Sequence, residues 1–163
     1  MFENILGNNS IKNLLSNSIK TDKVSHSYMF VGISGIGKKI IAKDFAKGIL
    51  CLNKDKYCNN CKSCIEFDSN NNPDLIYIEP DGNNIKIEQI RELQKRIPEK
   101  PIISNRKVCI INDADTMTKE AQNCLLKTLE EPPEFVTIIL IGSNENAFLT
   151  TIKSRCMIIH FEK

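Results

Sequence analysis

At 163 residues, 41% apolar and 26% charged, the chain suits one globular domain that buries roughly 70% of its unfolded surface. Its 22 basic and 20 acidic residues leave a net charge of +2, which excludes the whole-molecule field of a dedicated nucleic-acid binder. No run reaches the roughly 18 apolar residues of a membrane span, and Met1-Phe2-Glu3-Asn4 has no basic region ahead of an apolar core. A cytoplasmic protein with no membrane partner is expected.

In chain order, Ser10 to Lys20 carries Ile11, Leu14, Leu15 and Ile19 on one face of an amphipathic helix. Ser27 to Val31 reads as a buried strand, and Lys38 to Leu52 as the helix beyond it. Between them lies Gly32-Ile33-Ser34-Gly35-Ile36-Gly37-Lys38-Lys39. This follows the phosphate-loop pattern, in which glycines free backbone N–H groups to cradle phosphate, a Lys reaches the β- and γ-phosphates and a Ser or Thr hydroxyl ligates Mg²⁺. Gly32, Gly35, Gly37 and Lys38 meet the pattern. Lys39 occupies the hydroxyl position, and an ammonium has no lone pair to give a metal.

Seven cysteines, an odd number, argue against a secreted disulfide framework. Cys51, Cys58, Cys61 and Cys64 have the spacing to converge on one tetrahedral Zn²⁺. Four thiolates leave no open position, so the zinc would be structural and would pin a module of about residues 51–68. Four unrelated thiols or an iron–sulfur cluster are the alternatives. Cys109, Cys124 and Cys156 lie singly in apolar patterns and read as core residues.

Beyond the polar run Ser69 to Pro73, Asp74 to Glu79 is a strand. Ile87 to Ile97 is a helix with Ile87, Ile90, Leu93 and Ile97 on one side, stopped by Pro98 and Pro101. Lys107 to Asn112 is an apolar strand ending in Asn112-Asp113, where an ATPase of this kind would place Asp-Glu to hold the Mg²⁺ shell and polarise water. A neutral amide and a carboxylate one methylene shorter stand there instead; a strand-end turn is the bland reading. Thr118 caps a helix to Glu130 with Leu125, Leu126 and Leu129 inward, and Pro132-Pro133 ends it. A strand from Phe135 to Ile141, a short helix near Ala147 to Ile152 and a strand from Met157 to Phe161 follow. Such alternation of apolar strands with helices predicts an α/β fold, a three-layer parallel sheet with helices on both faces.

With Leu125-Leu126-Lys127-Thr128-Leu129-Glu130-Glu131-Pro132-Pro133 and Ser154-Arg155-Cys156 added to the loop and the cysteines, the chain resembles the N-terminal AAA+ domain of bacterial DNA polymerase III clamp-loader subunits. The resemblance spans essentially all of residues 1–163 and implies a RecA-like phosphate-loop NTPase domain with a small zinc-binding insertion. Lys39, Asn112 and Asp113, with Asn72-Pro73-Asp74-Leu75 and Ile78-Glu79-Pro80-Asp81-Gly82, resemble the delta prime branch rather than the gamma/tau ATPase branch. In that branch the Arg of Ser-Arg-Cys enters the ATP site of a neighbouring gamma/tau subunit. Arg155 is thereby implied to be an arginine finger acting in trans, in a largely non-hydrolysing subunit; ATP or ADP binding of its own is possible, since Gly32 to Lys38 can still hold phosphates without metal, but is weak or absent. The implied partners are gamma/tau and delta subunits, and through the complex the sliding clamp and primer–template DNA. Family members continue into a lid and a collar for which this chain has no residues. Two other readings stand beside this one: an active gamma/tau-type ATPase, since Gly37 and Lys38 are intact, and a zinc-dependent DNA-binding module using Lys54, Lys56 and Lys62.

Overall fold

A computed structural model describes residues 1–2, 5–53 and 57–162; Lys54 and Lys56 lie outside them. Five strands form one sheet: β1 (Ser27–Val31), β2 (Leu75–Ile78), β3 (Lys107–Ile111), β4 (Val136–Gly142) and β5 (Met157–His160). Their spatial order is β2-β3-β4-β1-β5, and every pairing is parallel. Parallel strands need crossovers, and α1 (Asn9–Lys20), α2 (Lys38–Leu50), α3 (Lys62–Asp68), α4 (Ile87–Arg96), α5 (Lys119–Glu130) and α6 (Thr150–Lys153) are the helices of the described chain.

Side chains alternate across a strand, so the central strands feed two cores. Tyr28, Phe30, Val108, Ile110, Ile139 and Ile141 face α1 and α2, meeting Leu15, Ile41 and Phe45. Met29, Val31, Cys109, Ile111, Ile138 and Leu140 face the other way, onto Leu93 of α4, Leu125 of α5 and Ile152 of α6. The expected three-layer α/β architecture is thus present. β1, β3 and β4 are buried along their whole length, which explains their unbroken apolar runs. β5, at the sheet's edge, exposes Met157 and His160.

Several boundaries differ from the sequence expectation. α2 stops at Leu50 because Cys51 turns to an extended conformation toward the other cysteines. The unforeseen α3 starts where the Cys61 sulfur accepts the Cys64 N–H. Leu14 is exposed, so the buried face of α1 is Ile11, Leu15 and Ile19. Leu126, Cys124 and Cys156 are only partly buried against the core, whereas Cys109 is fully enclosed. The segment around 147–152 divides into a 3-10 turn (Glu145–Ala147) and α6, with Leu149 between them extended.

Asp74 lies at the foot of β2 rather than within it. Fully buried, its carboxylate accepts three backbone N–H groups, from Ile102 (2.6 Å), Ile103 (2.9 Å) and Ser104 (2.7 Å). The Asp74 N–H in turn donates to the Asn72 Oδ1, and the Asn72 amide donates to Ser63 of α3. This chain of bonds satisfies polar groups that burial would otherwise leave unpaired and fixes the cysteine module against the sheet. No helix among the described residues is long and apolar enough to cross a membrane.

Candidate functional site

Every strand's C-terminal end opens on one edge of the sheet, and β1 is where the outgoing connections part: α2 leaves β1 for one face of the sheet, whereas α5 and α6 leave β3 and β4 for the other. Crevices at such switch points are where open α/β sheets bind ligands. The glycine loop leaves β1 at this point. A Cβ on Gly32 would come within 2.9 Å of the Phe161 carbonyl oxygen, and Gly35 (φ 80°) and Gly37 (φ 100°) adopt the left-handed conformation that side chains resist. The loop borders a cleft of about 320 Å³ whose lining includes Gly35, Gly37, Lys38, Lys39, Asn112 and Asp113. All the residues singled out in the loop and at the end of β3 therefore converge on this edge.

Lys38 is buried, and its ammonium donates to the carbonyl oxygens of Gly32 and Ile33 (2.9 Å to the latter) and lies 3.4 Å from the Ser143 Oγ. An ammonium has three donors, and these three acceptors engage all of them. Burial lowers its pKa, with the Asp115 and Asp113 carboxylates opposing that shift. Lys39, on the next residue of the helix, is exposed and lies over the Tyr77 ring of β2, its Nζ 5.3 Å from the centroid. Tyr77 is the main cause of its raised pKa, with smaller contributions from Glu79 and Asp113.

Asn112 extends β3 by donating its backbone N–H to Ile78 (2.8 Å). Asp113 takes a left-handed turn (φ 50°), and its carbonyl accepts from the Thr116 N–H and hydroxyl, which directs the chain into the 3-10 turn Ala114–Thr116. The strand-end turn and the cleft position are thus both real for this pair. Sequence reasoning missed Asp115, whose carboxylate accepts the N–H groups of Ser143 (3.1 Å) and Asn144 (3.0 Å) and so ties the exit of β4 to that of β3. The signal was there: polar residues directly after two apolar runs, on the edge that carries ligands.

Arg155 lies elsewhere. It follows α6 and precedes β5, at the N-terminal edge of the parallel sheet, opposite the cleft. Its guanidinium is half exposed and 4.0 Å from the Glu130 carboxylate at the end of α5. An exposed pair at that distance restrains the arginine weakly.

The four cysteines converge as their spacing predicts. The sulfurs of Cys51, Cys58, Cys61 and Cys64 lie within 4.8 Å of one another, with Cys51 and Cys61 4.0 Å apart. A tetrahedral zinc at 2.3 Å from each sulfur needs separations of about 3.8 Å, so small adjustments suffice to hold one. Backbone N–H groups of Asn60 and Cys61 point at the Cys58 sulfur and bring its pKa down to about 6. Burial raises Cys61, but N–H groups of Leu52 and Cys64 outweigh it and hold that thiol below its usual range. Burial pushes Cys51 up and Cys64 up to about 12, the effect a bound cation would reverse. Lys47, buried in α2, pairs with Asp68 (2.9 Å), donates to the Asn59 side chain and lies over the Tyr57 ring, fastening the module to the phosphate-loop helix. Lys62 is exposed at the start of α3.

A glycine loop between the first strand and a helix, at the switch point of a parallel sheet ordered β2-β3-β4-β1-β5 and covered on both faces, defines a phosphate-loop fold. Solved structures agree: the gamma subunit-related protein of Thermotoga maritima superposes with a TM-score of 0.63 at 24% identity, over 94% of this chain and 45% of that one. The Holliday junction branch migration motor RuvB of the same organism gives 0.59 at 15% identity, over 96% and 46%. The chain belongs to the family described as DNA polymerase III, delta subunit, whose sequence profile matches residues 7–163. It is 40% identical to DNA polymerase III subunit delta' of Bacillus subtilis over 153 residues, which are 93% of this chain and 46% of that protein. It is also 35% identical to subunit tau/gamma of Haemophilus influenzae over 163 residues, 99% of this chain and 24% of that protein. The chain thus spans less than half the length of these relatives.

Proposed function

We propose that the chain is the AAA+ domain of a delta prime type clamp-loader subunit: it hydrolyses no ATP itself and lends Arg155 to the ATP site of a gamma/tau-type neighbour. The observation that carries this reading is Lys39. It puts a cation where the phosphate loop needs a metal-binding hydroxyl, and Asn112 and Asp113 depart from the Asp-Glu pair in the same cleft. Losing the hydroxyl and the metal-shell carboxylate removes Mg²⁺ positioning, and shortening the Glu position to Asp moves the water-polarising group by roughly 1.5 Å. Arg155 fits the other half of the reading, because a guanidinium on the edge opposite its own cleft can reach only a neighbour's. Partners under this reading are gamma/tau and delta subunits, with the sliding clamp and primer–template DNA engaged through the assembly, and a structural zinc holds the cysteine module. The purified chain should release phosphate from ATP and Mg²⁺ no faster than its Lys38→Ala variant. Turnover above that control would reinstate the active gamma/tau-type reading.

A further inference from the structure

The fold class brings with it a Mg²⁺ ion beside the β- and γ-phosphates, and the residues of this cleft do not fit that ion. Lys39 offers no lone pair, Asn112 offers a neutral amide, and the one carboxylate of the set, Asp113, stands exposed at the lip. The left-handed glycines that a phosphate loop uses are nevertheless in place, and the cleft beside the loop is open to about 320 Å³.

We propose that this cleft takes a nucleoside diphosphate or triphosphate free of divalent metal, with the Lys39 ammonium supplying the positive charge that Mg²⁺ supplies elsewhere in the fold. Lys39 borders the cleft together with Gly35, Gly37 and Lys38, so a diphosphate in the loop comes within reach of its flexible side chain. Among the described residues no carboxylate lies within 4.0 Å of the Lys39 or Lys43 ammonium. Both cations are instead gathered over one ring, Tyr77, at 5.3 and 4.9 Å from its centroid. Two like charges one helical turn apart repel each other, and an anion drawn toward Lys39 relieves that repulsion. Lys38 completes the site by exchanging the Gly32 and Ile33 carbonyls for phosphate oxygens.

This inference rests on the altered cleft invoked for the proposed function and not on Arg155. Its test is thermal melting of the full chain with ATP or ADP, in EDTA and again in Mg²⁺. Either nucleotide should raise the melting temperature in EDTA, with no further gain from Mg²⁺. Lys39→Thr should weaken binding in EDTA at least about tenfold and make it Mg²⁺-dependent, because a charge-assisted bond is exchanged for a metal ligand. Lys39→Met should lose the first mode without gaining the second. A wild-type response that requires Mg²⁺, or none with either nucleotide in either buffer, overturns the proposal. Because the measurement uses the chain without a partner, that failure is separate from failure of the arginine contribution, which is read only in a complex.

Discussion

Substituting Arg155 with Ala is expected to lower DNA-stimulated ATP hydrolysis by an assembled gamma/tau-type partner about 10³–10⁵-fold at the site this chain adjoins, the range for an arginine supplied in trans. In an assembly with several active sites the total rate falls only by that site's share, so the expected effect is read with a single active partner subunit. The side chain is half exposed, and its nearest carboxylate, Glu130, is 4.0 Å away, so truncation removes almost nothing that holds the fold. Melting temperature should therefore stay within about 1–2 °C of wild type while turnover collapses. Arg155→Lys should recover only a small part, because an ammonium cannot reproduce the planar fork that grips phosphate oxygens at two points. Unchanged turnover with Arg155→Ala would assign the residue to the surface and remove half of the proposed function.

The second large effect concerns the cysteine module. One zinc per chain is expected by elemental analysis, and Cys61→Ser or Cys64→Ser should abolish its retention. Structural zinc sites contribute directly to folding, but here the module is also held by Lys47 to Asp68 and by Asn72 to Ser63. Loss of the metal should therefore cost about 3–6 kcal/mol rather than unfold the whole domain, a fall of roughly 10–20 °C in melting temperature. Hydrogen exchange should show the loss concentrated between Cys51 and Asp68, with β1, β3 and β4 still protected. A stoichiometric zinc whose removal leaves melting and exchange unchanged would contradict a structural role.

The parallel sheet was legible because β1, β3 and β4 are buried on both faces and so carry unbroken apolar runs, and the convergence of the glycine loop, Asn112 and Asp113 followed from the topology those runs imply. The cysteine cluster was legible from spacing alone. α3 was not, since Lys62–Asp68 is seven residues long and its start is set by the Cys61 sulfur, a tertiary feature of the cluster. Neither was Asp74, whose three backbone donors come from a loop about thirty residues away in the chain. The paths of two adjacent lysines were equally hidden. Lys38 folds back onto its own loop and Lys39 turns out onto Tyr77, a division that depends on where β2 lies beside α2. Sequence likewise located Arg155 at a strand entry, but only the all-parallel sheet puts it on the edge facing away from the cleft.

That hydrolysis belongs to the neighbour while this chain contributes an arginine is the core of the proposed function. It is tested most directly by Mg²⁺-dependent phosphate release from an assembled complex in which the partner's phosphate loops are disabled and this chain is wild type. Release no greater than from the same complex carrying Lys38→Ala in this chain is expected. Release above that background would show that the cleft bounded by Lys38, Lys39 and Asp113 turns over ATP, and would contradict it.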